Sequence, residues 1–306
     1  MKRIIGFFVL SLLMTVCYAQ KTALGLNLEI GATYKQVSRS SVSIHQTVQG
    51  HDMKMNMAVE ANMSYLVRSV VSDVYEFDVQ YTKLGMMVES PQGEMIFDSE
   101  KKEGTDVLSN LLSTMVGKVF QVKMAKNGKV LEVKNVESVI ESAFDVVTGL
   151  SELQKTQLKA QLTNAYGAEA FKGNIESGTA VFPDGKVDVG DAWTVVTHME
   201  SGMASVMTAE YTLAELNDAF VLLQGNATVQ TADKDAYVES NGMPMRYDLN
   251  GTVTSAIKLD RTTGWVIESR ITQDMKGRAD IKANDQLPEG LTIPMVIHSE
   301  SVIRNL

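Results

Sequence analysis

Two periods divide this chain. Long stretches alternate apolar and polar residues, the mark of strands with one buried face, and a central stretch repeats its apolar residues every three or four positions, the mark of amphipathic helices. Leu26, Leu28 and Ile30 alternate into Gly31, and three long strand patterns follow: Tyr34 to Gln49, Met53 to Val70 and Val74 to Val88. Gly50, His51 and Asp52 supply a hairpin signal between the first two, and Pro91, Gln92 and Gly93 end the third. Antiparallel strands this long, apolar on one face, need something laid over that face.

The stretch from about Thr105 to Ser177 is suited to cover them. Leu108, Leu111, Leu112 and Met115 make a short helical stripe. Val136, Val139, Ile140, Phe144, Val147 and Leu150 make a longer one, with Asn135 at the N-cap position and Gly149 near the C-terminal end. Ser151 with Gln154 has the spacing of a capping box and opens a further helix carrying Leu153, Leu158 and Leu162. Between the first and second helices, Val119 to Met124 and Val130 to Val133 flank Asn127 and Gly128, a pair suited to a type I′ hairpin turn.

Alternation resumes after Pro183. Val187, Val189, Gly190 and Trp193 echo Leu28, Ile30, Gly31 and Tyr34, and the echo continues through Tyr65 to Val67 against Tyr211 to Leu213 and through the turns at Ser72 and Asn217. Gly251 to Leu259 and Trp265 to Met275 flank a compact turn at Asp260 to Gly264, and Leu291 to Ile303 closes the chain. The expected architecture is mainly β, of the α+β class. A long antiparallel curved sheet or half-barrel carries a central helical insertion on its concave side, and the sheet is either one meander or two duplicated units. In this reading residues 20–104 form the first β unit, 105–178 the insertion and 179–306 the second β unit.

Lys2 and Arg3 followed by the uncharged run Ile4 to Val16 read as a secretory signal, too short to span a bilayer, and Cys17, Tyr18 and Ala19 place cleavage before Gln20. Residues 1–19 are therefore expected to be removed, with export to the periplasm or beyond. Lipid anchoring at Cys17 is disfavoured by Val16, which stands where such processing selects a smaller residue. Cys17 is the sole cysteine, so the mature chain has neither a disulfide framework nor a thiol nucleophile. The net charge of −9, more negative by two once Lys2 and Arg3 are gone, argues against nucleic acid or an anionic membrane surface as partner. No later apolar run reaches membrane-spanning length.

Taken together, Gly31 and Tyr34, the run Val116 to Phe120 leading to Gly128 to Val130, Val187 to Trp193, and Asp260 with Thr263, Gly264 and Trp265 give the chain its family likeness. It resembles an uncharacterised family of secreted or lipid-anchored proteins from Bacteroidota, labelled a domain of unknown function. The resemblance spans nearly all of the mature chain. It implies a compartment and a phylum and brings no catalytic residue.

The chain carries no nucleophile elbow, zinc-binding His-Glu-x-x-His helix or phosphate loop. His45, His51, His198 and His298 are scattered, and Asp184, Asp188 and Asp191 lack calcium-loop spacing and fit turn chemistry. No catalytic residue and no cofactor is expected. Methionine is the anomaly: 18 residues, as many as phenylalanine and tyrosine combined. Met53, Met55 and Met57 share one strand face with Val59, Ala61 and Met63. Core packing explains such a row, as does a pliable wall for an apolar ligand. A Cu(I) site of His51, Met53, Met55 and Met57 is the third reading.

The sequence thus points first to a non-catalytic envelope protein that binds a lipid or other apolar molecule between sheet and helices, in a tunnel walled by Met53, Met55, Met57, Leu112, Phe144 and Val147. The alternatives are a structural or protein-interaction module of the envelope with no small ligand, and a periplasmic copper binder.

Overall fold

In the computed structural model, the described residues are 21–306 apart from 92, 102–105, 146, 148, 200–202, 241–242 and 285–286. The expected signal segment 1–19, with Cys17, and Gln20 lie outside them. The three expected strands are β1 (Thr33–Val48), β2 (His51–Val71) and β3 (Val74–Ser90), joined by two-residue turns. Gln49 with Gly50, and Ser72 with Asp73, all have positive φ, the type I′ geometry whose twist matches that of the strands. The first turn is therefore Gln49-Gly50, and His51 already belongs to β2.

A short strand β4 (Gly93–Asp98) folds back on β3, and the hairpin of β5 (Val119–Ala125) and β6 (Val130–Lys134) extends the same edge. Here the expected type I′ turn is corrected. Only Gly128 takes positive φ, and Ala125 N–H donates to Lys129 C=O across a three-residue loop, so the pairing slips by one at Lys123 and Met124. The second half contributes β7 (Ala192–Met199), β8 (Ser205–Leu216), β9 (Phe220–Thr231), β10 (Val238–Ser240), β11 (Met243–Asp260), β12 (Val266–Ile281) and β13 (Leu291–Asn305).

All thirteen join one curved, unclosed antiparallel sheet in the order β6-β5-β3-β2-β1-β13-β12-β11-β9-β8-β7, with β4 on β3 and β10 on β11. The first and last strands meet at its centre, in register from Gln36 opposite Asn305 to Gln46 opposite Met295.

The sequence echo is realised bond for bond. Gly31 N–H donates to Val67 C=O and Val67 N–H to Ala32 C=O; Gly190 N–H donates to Leu213 C=O and Leu213 N–H to Asp191 C=O. Both glycines have positive φ, Leu28 and Val187 are buried, and Ile30 and Val189 are exposed. A bulge follows each acceptor strand residue, at Arg68 and at Ala214. Asp188 and Asp191 serve the second corner as turn residues: Asp188 Oδ1 accepts from Val189 N–H at 2.8 Å, and Asp191 Oδ2 from Asp188 N–H at 3.0 Å and Lys21 Nζ at 2.8 Å. That ammonium holds the Asp191 carboxyl below its ordinary range. The segment before β1 ties both halves together at one end, through Leu26 N–H to Lys126 C=O and Asn27 N–H to Thr263 C=O.

Among the described residues four helices cover one end of the inner face: α1 (Val107–Met115), α2 (Val136–Phe144), α3 (Glu152–Tyr166) and α4 (Ala168–Thr179). Asn135 supports α2 differently from the expected cap. Its φ of 69° turns the chain and its side chain makes no capping bond. Ser151 and Gln154 do form the capping box. On α3 the expected stripe is thinner than its leucines suggested, since Leu162 is buried and Leu153 is 68% exposed. The core beneath is aromatic: Trp265 lies against Tyr34, Tyr65 and Phe77, Tyr65 reaches Phe171 of α4, and Phe171 meets Phe120 edge-on at 5.3 Å.

The β5–β6 loop fastens α4. Thr179 Oγ1 donates to Gly128 C=O at 2.8 Å, and a Cβ on Gly128 would stand 1.7 Å from Thr179 O. Gly128→Ala is expected to cost about 2–4 kcal/mol, from the left-handed backbone plus the clash, read as a lower denaturation midpoint in urea.

Glu176 of α4 is buried and accepts from Val130 N–H at 2.8 Å, and burial raises its carboxyl pKa. The folded state thus holds this proton more tightly than the unfolded chain, whose glutamates titrate near 4.3. The stabilisation from the protonated group is present below that pH and is lost as pH rises through the raised folded value. Glu176→Gln should accordingly melt higher than the parent at pH 7, with the gap closing towards pH 4; a gap that widens on acidification would contradict this account.

Candidate ligand-binding cavity

Helices and sheet do not meet everywhere. A cavity of about 740 Å³ opens between the inner face of β1 to β4 and helices α1, α3 and α4, within the ~300–1,000 Å³ usual for small-molecule pockets. Strand alternation builds its floor: Met55, Met57, Val59, Ala61 and Met63 are the inner residues of β2. Met86 and Val88 of β3 stand opposite Phe97 and Met95 of β4, and these four form one wall. Leu158, Gln161 and Ala165, spaced along one face of α3, form the roof, while Phe171 and Ile175 of α4 close the inner end.

Little charge reaches this space. Asp106 lies at the rim, committed to capping α1 by accepting from Ser109 N–H at 2.6 Å and Ser109 Oγ–H at 2.8 Å. Tyr81 and Tyr166 are buried, which pushes both phenols well above their ordinary pKa. Both are also satisfied, Tyr81 O–H donating to Tyr166 C=O at 2.9 Å and Tyr166 O–H to Gly85 C=O at 2.7 Å. Those two bonds pin the α3–α4 junction to β3. The chemistry on offer is therefore apolar contact with five adaptable thioethers, Met55, Met57, Met63, Met86 and Met95.

Of the six residues expected to wall a tunnel, Met55 and Met57 line the cavity. Met53, two residues nearer the β1–β2 turn, lies beyond it in a separate depression with Met295 and Gly277. Leu112 is fully buried in the core, one turn past the lining residue Leu108, because α1 enters at the rim and runs inward. Phe144, the last residue of α2, and Val147, beyond its end and not on the longer helix expected, pack against the main core; α2 lies against β5, two strands from β2.

The Cu(I) reading drew on His51, Met53, Met55 and Met57. All four lie on one face of β2 at alternate positions, which spaces their Cα atoms by ~6.7 Å along the wall; His51 is exposed at the turn. Among the described residues, no three His, Cys, Asp or Glu side chains gather where they could hold a metal ion.

The contributions of β4 and of α4 had no clear signature. β4 is six residues long; Met95 already stands with Met86 and Met87 in the region partnering the β2 methionines, while Phe97 is legible as an inner residue only once the strand folds on β3. Ser38 and Ser40 alternate with the rest of β1 but offer no hydrophobic signal.

A second cavity of about 350 Å³ adjoins the first, sharing Ser40 and Asn164 in its wall. It lies between α4 and the inner faces of β1, β13, β12, β7 and β8. Its lining mixes methionines 199, 203 and 275 with serines and Gln273, and Glu169, Lys172 and His198 stand around it.

Fold and cavities together define a half-barrel with a helical cover over an apolar chamber. The chain belongs to a family of unknown function, DUF6263, whose profile matches residues 72–266. No curated protein matches the sequence. Solved structures with some likeness include one of lipovitellin concerned with lipid–protein interactions, with a TM-score of 0.46 and 10% identity over 92% of this chain and 25% of that one. This chain thus spans about a quarter of the lipovitellin chain's length. Another is an outer membrane channel from Pseudomonas putida F1, with a TM-score of 0.26, 9% identity, and coverage of 92% of this chain and 97% of that one. At these scores neither likeness bears on what this chain binds. Among the described residues no helix is long and apolar enough to cross a membrane.

Proposed function

We propose that this is an exported, non-catalytic protein of the cell envelope that holds a lipid or other apolar molecule between the sheet and the helices. The observation that carries the reading is the larger cavity: about 740 Å³ of space whose floor and wall are Met55, Met57, Val59, Met63, Val88 and Phe97. An apolar chain moved from water into such a space gains ~0.8 kcal/mol per methylene before the costs of association. Methionine-rich walls accommodate varied shapes, which suits a carrier of a mixed lipid pool. Export is inferred from the basic head and apolar run of residues 1–19 and from the family resemblance.

Val59 sits mid-floor, so Val59→Glu places a carboxylate where nothing pairs with it. The uncharged dye N-phenyl-1-naphthylamine should brighten on binding the delipidated parent, and the variant should bind it at least about tenfold more weakly at an unchanged secondary-structure signal. Native mass spectrometry of detergent-free protein should release a mass of several hundred daltons, on the order of the pocket's capacity. Failure of the dye to bind, together with an intact mass equal to the bare chain, would instead favour the module that has no small ligand.

A further inference from the structure

The inner face of the sheet is largely apolar, with Thr197, Ser205 and Thr231 as polar positions on β7 to β9 and a group of polar residues along its centre, where the first and last strands pair. There Gln36, Ser38 and Ser40 of β1, Ser299 and Ser301 of β13, and Ser269 and Gln273 of β12 occupy inward positions in adjoining registers. One end of this polar seam lies under α4. Gln36 and Ser269 are 1% and 0% exposed, and the polar atoms of both side chains find no partner in the protein among the described residues. Burying such groups unpaired is unfavourable, and apolar residues of similar size would avoid it. The other end opens into the smaller cavity, where Ser40 Oγ and Ser301 Oγ lie 2.7 Å apart and Gln273 Nε2 donates to Met275 Sδ at 2.7 Å. A thioether is a weak acceptor. Among the described residues Gln273 makes no other side-chain bond, so its amide carbonyl is free to accept.

A hydrocarbon alone has no use for this seam. From the junction of an apolar chamber with one in which serine hydroxyls and the Gln273 amide are set among Val42, Ile271 and methionines, we infer that the ligand is an amphiphile with an uncharged, hydroxyl-bearing head. Its acyl chain lies on the methionine floor of β2 and its head crosses Ser40 and Asn164 to hydrogen-bond with Ser299, Ser301 and Gln273. The inference rests on the apolar-ligand reading above and adds the class of head group. A charged head finds no net complement: the ionisable groups around the smaller cavity are Glu169, Lys172 and His198, and the first two oppose each other on one turn of α4.

Competition against the bound dye tests this with three compounds sharing one chain: glycerol monolaurate, methyl laurate and dodecyl phosphate. The hydroxylated ester should displace the dye at about tenfold lower concentration than methyl laurate, the gain expected of one or two hydrogen bonds, and should outcompete the phosphate. In the full-length double variant Gln273→Leu, Ser301→Ala, the advantage of monolaurate over methyl laurate should shrink towards parity, methyl laurate serving as the internal reference. Equal potency of the two esters on the parent, or a clear preference for the phosphate, would overturn the head-group assignment while leaving the apolar chamber standing. Displacement by none of the three would sink the chamber as well.

Discussion

The pairing of β1 with β13 is the constraint on which the rest depends. Strands from opposite ends of the chain run side by side through the middle of the sheet, so neither half has its full set of neighbours until the last fifteen residues arrive. Each half alone would expose a long unpaired strand edge at that position, the kind of edge that invites association with another chain. Joined, they make one wide surface whose right-handed twist, accumulated over many strands, curls the inner face into a trough.

A trough that size cannot be filled by its own side chains, and the helical insertion covers part of it. The cover is anchored where the aromatic line from Trp265 through Tyr65 and Phe171 to Phe120 gives close packing. Away from that line, towards β4 and the β1–β2 turn, the helices stand off the sheet and the chamber opens. α3, the roof, is tied to its helical neighbours and pinned through Tyr166 to Gly85. Space is thus left for a geometric reason: short straight helices cannot follow a strongly curved floor.

The two halves share a corner and a bulge, yet they differ in what covers them. Most of the insertion lies over the first half, and α4 also reaches over strands of the second. In the second, a smaller cluster of Met207, Val229, Leu249, Val253 and Met275 sits apart from the main core. The polar seam lies where the halves meet, and both sides contribute to it. No single local stretch displays it, because each strand supplies only two or three of its residues.

Period-two and period-three-to-four patterns, with turn residues such as Gly50, Ser72 and Asp73, were enough to read the long strands, the first three helices and the repeated corner from the chain alone, since those features depend on residues within one element or turn; β4, β10 and α4 were not read, and α2 stops at Phe144 although its stripe runs on to Leu150. The row of methionines on β2 was legible for the same reason, and Met55 and Met57 do line the chamber. Leu112, Phe144 and Val147 carry the same amphipathic signal as true lining residues, and what separates them is how far along α1 Leu112 lies and which strand α2 crosses. Local pattern says that a residue is buried; only the packing of distant elements decides whether it is buried against another side chain or beside a space. The cavity, its second chamber and the polar seam belong to that second kind of fact, because each is made by strands and helices far apart in sequence and brought together only when the sheet assembles.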